Sequence, residues 1–522
     1  MTVYTDIVIG AGSTGAVIAA RLAEGAPDRR ILLIEAGPDY PDADSLPADL
    51  RNGLYPAFLS HNWGLKAEAV PGREIDLTRG KVVGGTSAIN TSLAVRPGPV
   101  EFEEWTERGN TGWTWEEVLP YFNRVEDDLD YGQDSARPEA YHGSGGPIPV
   151  WRWRDEQLPP LQRAMFDACV GLGFPETSDH NAPGSTGVGP LGQNLVDGVR
   201  ISTALAYLQP VRKLENLEIR PDTLIESIVV EDGRAVGVRV FAGEGEEPEL
   251  ISAERVTLCA GAVGSPAILQ RSGIGPAGHL RALGVPVVAD LPAVGRNLRD
   301  HPTCLIALAP RPGVYDESLP VTQVLLQTTA PDSAEFNDMQ YYLFNHVDLT
   351  GFAPQLREAI GTDHVFMISV GVERPHSRGS VLIRSRDPRE QPDIAFHYLE
   401  HPEDLRRMRE GMRIGLNIAR TPQLGLFTTG RMIPEPEVFE SDESLDAFML
   451  ASADTHCHPM GTNQMGPQGD PEAVVDDRCR VHGVAGLRVA DASVFPGTVR
   501  VNTNLTCIML GERVADWLLA EG

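Results

Sequence analysis

The sequence predicts an α/β fold divided into more than one domain. Three observations carry that expectation. Residues 4–35 read as strand, glycine-rich turn, helix and second strand; a strand-rich stretch runs from about 302 to 450; and "NLTCIMLGERVADWLLA" at 504–520 has helical periodicity. With 522 residues the chain is long enough to bury more than one core.

The N-terminal unit comes first. "YTDIVIG" (4–10) reads as a short buried strand rich in β-branched residues. Gly10-Ala11-Gly12-Ser13-Thr14-Gly15 follows at once, then the helical stretch "AVIAARLAE" and a second strand, "RILLIEAG", ending in Glu35. In this fingerprint Gly10 permits the tight turn, Gly12 lets the backbone approach a pyrophosphate, and Gly15 lets helix and strand pack closely. The helix N-terminus offers N–H groups to phosphate, while Glu35 can accept ribose hydroxyls and disfavours a 2′-phosphate. A glycine-rich turn without ligand does not explain Glu35. The motif therefore predicts a bound dinucleotide and leaves NAD and FAD both open.

Composition narrows the function classes. A formal net charge of −29 argues against nucleic-acid binding, which needs a basic footprint, and against an anionic membrane surface. No run of about 18 apolar residues predicts a membrane span. The N-terminus has no basic segment before its first strand, so no signal peptide is expected. Cys169, Cys259, Cys304, Cys457, Cys479 and Cys507 lie far apart without a CxxC pair, which fits a reducing, cytoplasmic compartment better than a disulfide framework.

The next informative stretch is "RGKVVGGTSAINTSLAVRP" (79–97), where Gly84 and Gly85 allow backbone to lie close to a flat ligand or a phosphate. Together with "GAGSTGAVIAARLAE", "LLIEAGP", "GAVGSPAILQRSGIGP" (261–276), "VGRNLRDHP" (294–302) and "HPMGTNQMG" (458–466), it resembles the glucose–methanol–choline (GMC) flavin oxidoreductases. The motifs stand in the family's order and span nearly the whole chain; the nearest resemblance is to bacterial members acting on primary alcohols. It implies a Rossmann-like FAD-binding domain with a second, sheet-based substrate-binding domain. The FAD domain would be discontinuous, with residues 1–301 as its N-terminal part and 451–522 returning to it and to the active site; 302–450 would be the substrate-binding domain.

Carried over by position, the resemblance assigns Gly10, Gly12, Ser13, Thr14 and Gly15 to the FAD pyrophosphate, and Glu35 with Ala36 to the adenosine end. It places Gly84, Gly85, Ser87 and Asn90 along the pyrophosphate and the isoalloxazine edge, and Ile225 against the adenine through its backbone. Asp491 and Ala492 match the stretch beneath the ribityl phosphate; Thr503 and Asn504 match the turn facing the flavin's pyrimidine side. That turn also has an independent reason: a helix N-terminus aimed at a flavin stabilises negative charge on the reduced ring. Two departures stand out. Some family members attach FAD through a histidine where this chain has Ile89, so the FAD is expected to be non-covalent. The family often has an arginine where this chain has Gln464, which removes a cation near the active-site turn.

"HCHPMGTNQMG" (456–466) puts His456 and His458 on either side of Cys457. Two imidazoles without HExxH or a further Cys/His pair are too few for zinc, so no metal is expected. The resemblance makes His458 the active-site base and leaves His456 to support or packing. An alcohol's proton must leave as its C–H hydride departs, and a neutral imidazole can take it at neutral pH. Asn502, first of "NTN", matches the position that holds the substrate oxygen; its amide donates without competing for the proton. His301 and His142 are expected to be structural. In "HPEDLRRMREGMRIGLNIAR", Leu405, Met408, Met412 and Leu416 form a core stripe rather than a pocket wall. The sequence does not orient Tyr341, Tyr342 and Phe344, and it leaves the loop 38–78 as a cover for the flavin or the entrance.

The expected function is FAD-dependent oxidation of an alcohol, primary by preference, to an aldehyde or ketone, with O₂ or another acceptor reoxidising the flavin. A lyase of the same fold, an FAD-binding electron relay and an NAD-dependent dehydrogenase are the rivals. The substrate, the acceptor and the oligomeric state are not legible in the sequence.

Overall fold

The structure is a computed structural model that describes residues 3–132, 141–241, 243, 247–351 and 353–521. Strand β1 (Val3–Ile9) and strand β2 (Ile31–Ile34) pair in parallel, joined by helix α1 (Gly15–Gly25). Glu249–Leu258 lies parallel on the other side of β1, and Leu217–Arg220 extends the sheet beyond β2. Leu487–Val489 pairs in parallel with the end of Glu249–Leu258. Ile7, Val8 and Ile9 and all of β2 are buried, as strands covered on both faces require. Remote segments thus meet in one sheet, and Arg234–Phe241 with Leu224–Glu231 adds an antiparallel extension to the first half of Glu249–Leu258.

The C-terminal helix (Asn504–Ala520) packs on α1 at unusually close range. A Cβ at Gly511 would lie 2.8 Å from Val17 Cβ and 2.9 Å from the Thr14 carbonyl oxygen. Thr14 Oγ1 donates to the Cys507 carbonyl at 3.0 Å, and Arg21 pairs with Glu512 at 2.8 Å. Both ends of the chain are therefore locked together beside the glycine turn.

The second sheet is antiparallel, in the order Thr428–Ile433, Pro302–Pro310, His364–Val372, Met339–Asp348, Val324–Thr328, Gly187–Pro190. Its last strand comes from within 1–301, so the sheet draws on residues outside 302–450. One face, with Tyr341, Leu343, Ile306 and Val370, packs under helix Pro402–Ala419, where Met408, Met412 and Leu416 are buried as the stripe predicts. Gly411 and Gly415 let this helix sit close: a Cβ at Gly415 would be 2.9 Å from Ile306 Cδ1. The opposite face carries Tyr342, Phe344 and Leu325, which cluster with Leu93, Val95 and Val501. Strand alternation separates Tyr341 from Tyr342.

His142 is structural, as expected. Its Nε2 lies 2.8 Å from Asp179 and its Nδ1 3.0 Å from Asp128 and 3.3 Å from Glu126; Arg152 and Arg96 complete the buried network. Burial opposes a charged ring here, yet the bonds to Asp128, Asp179 and Glu126 outweigh it and raise the pKa to about 10. The raised value means that this stabilisation is complete below about pH 6.5 and is lost as the pH climbs through about 10. His142→Gln is expected to cost about 3 kcal/mol near neutral pH by leaving three buried carboxylates to two arginines, one positive charge short. In denaturant unfolding, its deficit relative to wild type is expected to shrink above pH 10.

Candidate active site

The coenzyme end is a crossing of bare backbone. Gly10 (φ 92°), Gly84 (φ 102°) and Gly85 (φ 53°) occupy left-handed conformations that favour glycine. A Cβ on Gly85 would lie 2.6 Å from Gly12 Cα, and the Gly84 N–H donates to the Ala11 carbonyl at 2.8 Å. Ser13 Oγ donates to Asn504 Oδ1 at 2.7 Å, bringing in the C-terminal helix. The N-termini of α1, of the short turn Gly85–Ala88 and of the C-terminal helix all lack a side-chain cap. Helix starts without side-chain caps are the setting that a pyrophosphate fills. The residues present fit FAD.

Glu35 marks the far end of this cradle. Its oxygens accept from the Ala11 and Gly37 N–H groups, each at 3.0 Å, while burial pushes the carboxyl up to about 7. Ala36 is half-buried beside it, and Ile225 is the second residue of the strand Leu224–Glu231 just beyond Thr223, whose N–H donates to the Glu35 carbonyl at 2.9 Å. Three assigned residues spend their side chains on holding loops. Asp491 is buried and accepts from the Gly261 N–H, Ser265 Oγ and the Ser493 N–H, which fixes the turn at Ala492. Asn90 Oδ1 accepts from the Ser92 N–H, and Ser87 Oγ donates to the Gly84 carbonyl. Ile89 is fully buried and aliphatic, so it offers no atom for a covalent link. Gln464 is buried with its Oε1 3.4 Å from Arg299 Nη2, so a buried cation stands next to the position where the sequence lacks one.

The catalytic end gathers at the edge of the second sheet. Asn502 Nδ2 lies 3.1 Å from His458 Nε2, while Asn502 Oδ1 accepts from the Tyr342 hydroxyl at 3.2 Å. The one Tyr342 hydroxyl hydrogen is shared between Gln340 Oε1 at 2.7 Å and Asn502 Oδ1, and the amide face opposite the tyrosine, its N–H₂, lies toward the imidazole. The backbone N–H of His458 donates to Asp300 Oδ1 at 2.8 Å, and Arg79 reaches the Cys457 carbonyl at 2.5 Å.

Two residues change the sequence reading. His301, expected to be structural, places its Nδ1 3.0 Å from His458 Nδ1 and 2.9 Å from Glu373 Oε2. Glu373 Oε1 in turn lies 3.3 Å from His456 Nδ1, and His456 Nε2 meets Ser369 Oγ at 2.8 Å. The three imidazoles have donor atoms within 4.8 Å of one another, so a count of two histidines along the chain was one short. Their outer nitrogens face the Val499 carbonyl, Ser369 and Asn502, and Glu373 stands against His301 and His456. Burial first, then His301 and His456, push His458 well below the ordinary histidine pKa. It is a neutral acceptor at neutral pH.

The chain matches the GMC oxidoreductase family, the N-terminal part over residues 4–303 and the C-terminal part over 375–511. It is 37% identical over 554 residues to an oxygen-dependent choline dehydrogenase of Stenotrophomonas maltophilia (strain K279a), covering 98% of this chain and 94% of that one. The corresponding protein of Escherichia coli O17:K52:H18 is 36% identical over 549 residues, with coverage of 99% and 95%. Among solved structures, a pyridoxine 4-oxidase from Mesorbium loti superposes with a TM-score of 0.87 at 30% identity, over 98% of this chain and 99% of that one. A fungal aryl-alcohol oxidase, at 21% identity and a TM-score of 0.83 over 100% and 99% of the two chains, shares the fold. Fold and matches together define an FAD-dependent oxidoreductase acting on CH–OH donors. The chain belongs to the GMC oxidoreductase family.

Gly85→Ala tests the cradle. The new methyl group would collide with Gly12 and sit at a positive φ, so the variant is expected to purify with little flavin absorbance per mole of protein. Far-UV circular dichroism should stay close to that of wild type.

Proposed function

We propose that the protein oxidises a primary alcohol to an aldehyde, with His458 as base and Asn502 as the oxygen-holding group. The observation that carries this reading is the 3.1 Å separation of His458 Nε2 and Asn502 Nδ2, with the amide oriented by Tyr342. A hydroxyl oxygen placed against both groups gives its proton to the imidazole and accepts an amide N–H bond. FAD, when bound, supplies the acceptor for the hydride that leaves the same carbon. Asn502 keeps its donor aimed at the oxygen while negative charge develops, and His458, held by its own backbone bond to Asp300, keeps its ring in place.

The substrate is a neutral alcohol with an apolar or aromatic body. Tyr342, Phe344, Leu325 and Val501 form the sheet face beside Asn502, and the nearby carboxylate of Glu373 is engaged by two imidazoles. A quaternary ammonium alcohol, suggested by the choline dehydrogenase relatives, is the competing substrate. O₂ or another acceptor closes the cycle. Non-covalent FAD follows from Ile89. A cytoplasmic site of action is supported by six free cysteines, and among the described residues no helix is long and apolar enough to cross a membrane. For the domains, we keep 302–450 as the centre of the substrate domain, with Gly187–Pro190 added to its sheet.

An anaerobic screen of aromatic, aliphatic and quaternary ammonium alcohols, read as flavin bleaching and followed by admission of air, tests substrate class and acceptor together. Bleaching by the ammonium alcohols alone would reverse the substrate assignment, and no bleaching by any alcohol would favour a lyase. His458→Ala is expected to slow bleaching by roughly 10²–10⁴ while FAD stays bound. Asn502→Ala is expected to cost about 10²-fold in kcat. Wild-type bleaching rates in His458→Ala would remove the base.

A further inference from the structure

We propose that Glu373 and His301 are positioning residues that hold the alcohol proton one imidazole behind the ring that removes it. The inference rests on the reading of His458 as the base. His301 Nε2 lies 2.8 Å from the Val499 carbonyl, which can only accept, so that nitrogen carries hydrogen. His301 Nδ1 is therefore the variable position, and it faces both Glu373 Oε2 at 2.9 Å and His458 Nδ1 at 3.0 Å. Glu373 is fully buried at the end of an apolar strand, and its ion-pair partners among the described residues are His301 and His456. A buried carboxylate so placed strongly favours a proton on the imidazole that touches it.

Two states follow, one proton apart. In the first, His458 carries its hydrogen on Nδ1, directed at the lone pair of His301 Nδ1, and its unprotonated Nε2 faces the Asn502 amide; the substrate oxygen would sit between the two. When the alcohol reacts, its O–H bond breaks and an Nε2–H bond forms on His458. The Nδ1–H bond of His458 breaks and a bond to His301 Nδ1 forms. The electron pair left on oxygen becomes the new carbonyl bond as the hydride leaves. The positive charge ends against Glu373, while His458 stays neutral throughout. Without Glu373 the charge would remain on a half-open ring facing its own product.

The directions of titration agree with this geometry. Burial opposes charge on His301, but Glu373 outweighs it and holds His301 above the ordinary histidine value. Glu373 stays well below the usual carboxylate range: burial acts against that, and His301 and then His456 overcome it. The other charged groups near the cluster are Asp300, which accepts from the His301 and His458 backbone N–H groups, Asp454 and Arg79. None of these three touches a ring nitrogen of His301. Because the competent state is the one with fewer protons, kcat/KM is expected to rise with pH through an apparent pKa that belongs to the cluster.

The test uses FAD-loaded full-length protein with its histidine rings labelled with ¹⁵N. In wild type the His301 midpoint is expected to lie above that of an ordinary histidine, and a midpoint below it would overturn the proposal without any variant. In Glu373→Gln the His301 midpoint is expected to fall by about one pH unit or more, with the kcat/KM limb moving to lower pH in step, measured with the best alcohol of the screen. Glu373→Asp, which keeps the charge, is expected to recover part of the shift. An unchanged His301 midpoint in a flavin-loaded Glu373→Gln protein would sink the assignment. Since the ring titration needs no turnover, its result stands apart from whether His458 proves to be the base.

Discussion

The contact between Gly12 and Gly85 is the constraint on which the coenzyme cradle depends. A side chain at Gly85 would meet the N-terminal turn at 2.6 Å, so the two loops touch through backbone alone. That contact brings the uncapped start of α1 next to the turn Gly85–Ala88, and the Ser13–Asn504 bond adds the start of the C-terminal helix. Each helix start leaves N–H groups without internal partners. Two such helix starts beside the backbone turn place peptide N–H groups at one crossing, in a chain whose formal charge is −29. Net charge therefore says little about this site; local peptide dipoles decide it.

Much of this was legible in the sequence because glycine is required where backbone must touch backbone or turn left-handed. Gly10, Gly12, Gly15, Gly84 and Gly85 announce such places in a one-dimensional string, and their order along the chain gives the sheet that joins them. The motifs around His458 and Asn502 single them out in the sequence, and the structure places the two side chains 3.1 Å apart. His301 and Glu373 were not legible, for a physical reason. Their pairing depends on which strand lies beside which, and Thr303↔Gly371 in the register of the second sheet brings residues about 70 positions apart together. The signal that was present is an acidic residue ending the apolar run "HVFMISVGV", since a carboxylate in such a place needs a partner. Tyr342 could have been separated from Tyr341 by strand alternation once the helix-facing side was known.

His142 and His301 show how one residue type takes two roles. His142 lies among three carboxylates and two arginines, so its charge is balanced at all ordinary pH and its proton goes nowhere. His301 has a single carboxylate partner and a second imidazole at hydrogen-bond distance, so its proton has a route out. Burial is nearly the same in both. The number of fixed charges around the ring, and whether another basic nitrogen touches it, distinguish a structural tie from a proton store.

The segment Arg500–Asn504 couples these parts. Arg500 is held by Glu104 at 2.7 Å and by Glu101 at 3.3 Å, and its carbonyl accepts from Gln340 Nε2 at 2.8 Å. Val501 belongs to the apolar cluster beside Tyr342, Asn502 reaches His458, and Asn504 begins the helix whose N-terminus faces the coenzyme cradle. Five consecutive residues thus run from Glu101 and Glu104 past the second sheet and His458 to the glycine crossing. A shift of the second sheet moves Gln340 and, through it, the peptide that carries Asn502. The apolar cluster around Tyr342 and the amide of Asn502 are therefore tied to the same sheet, which is the kind of support that holds a donor in register with a neighbouring imidazole.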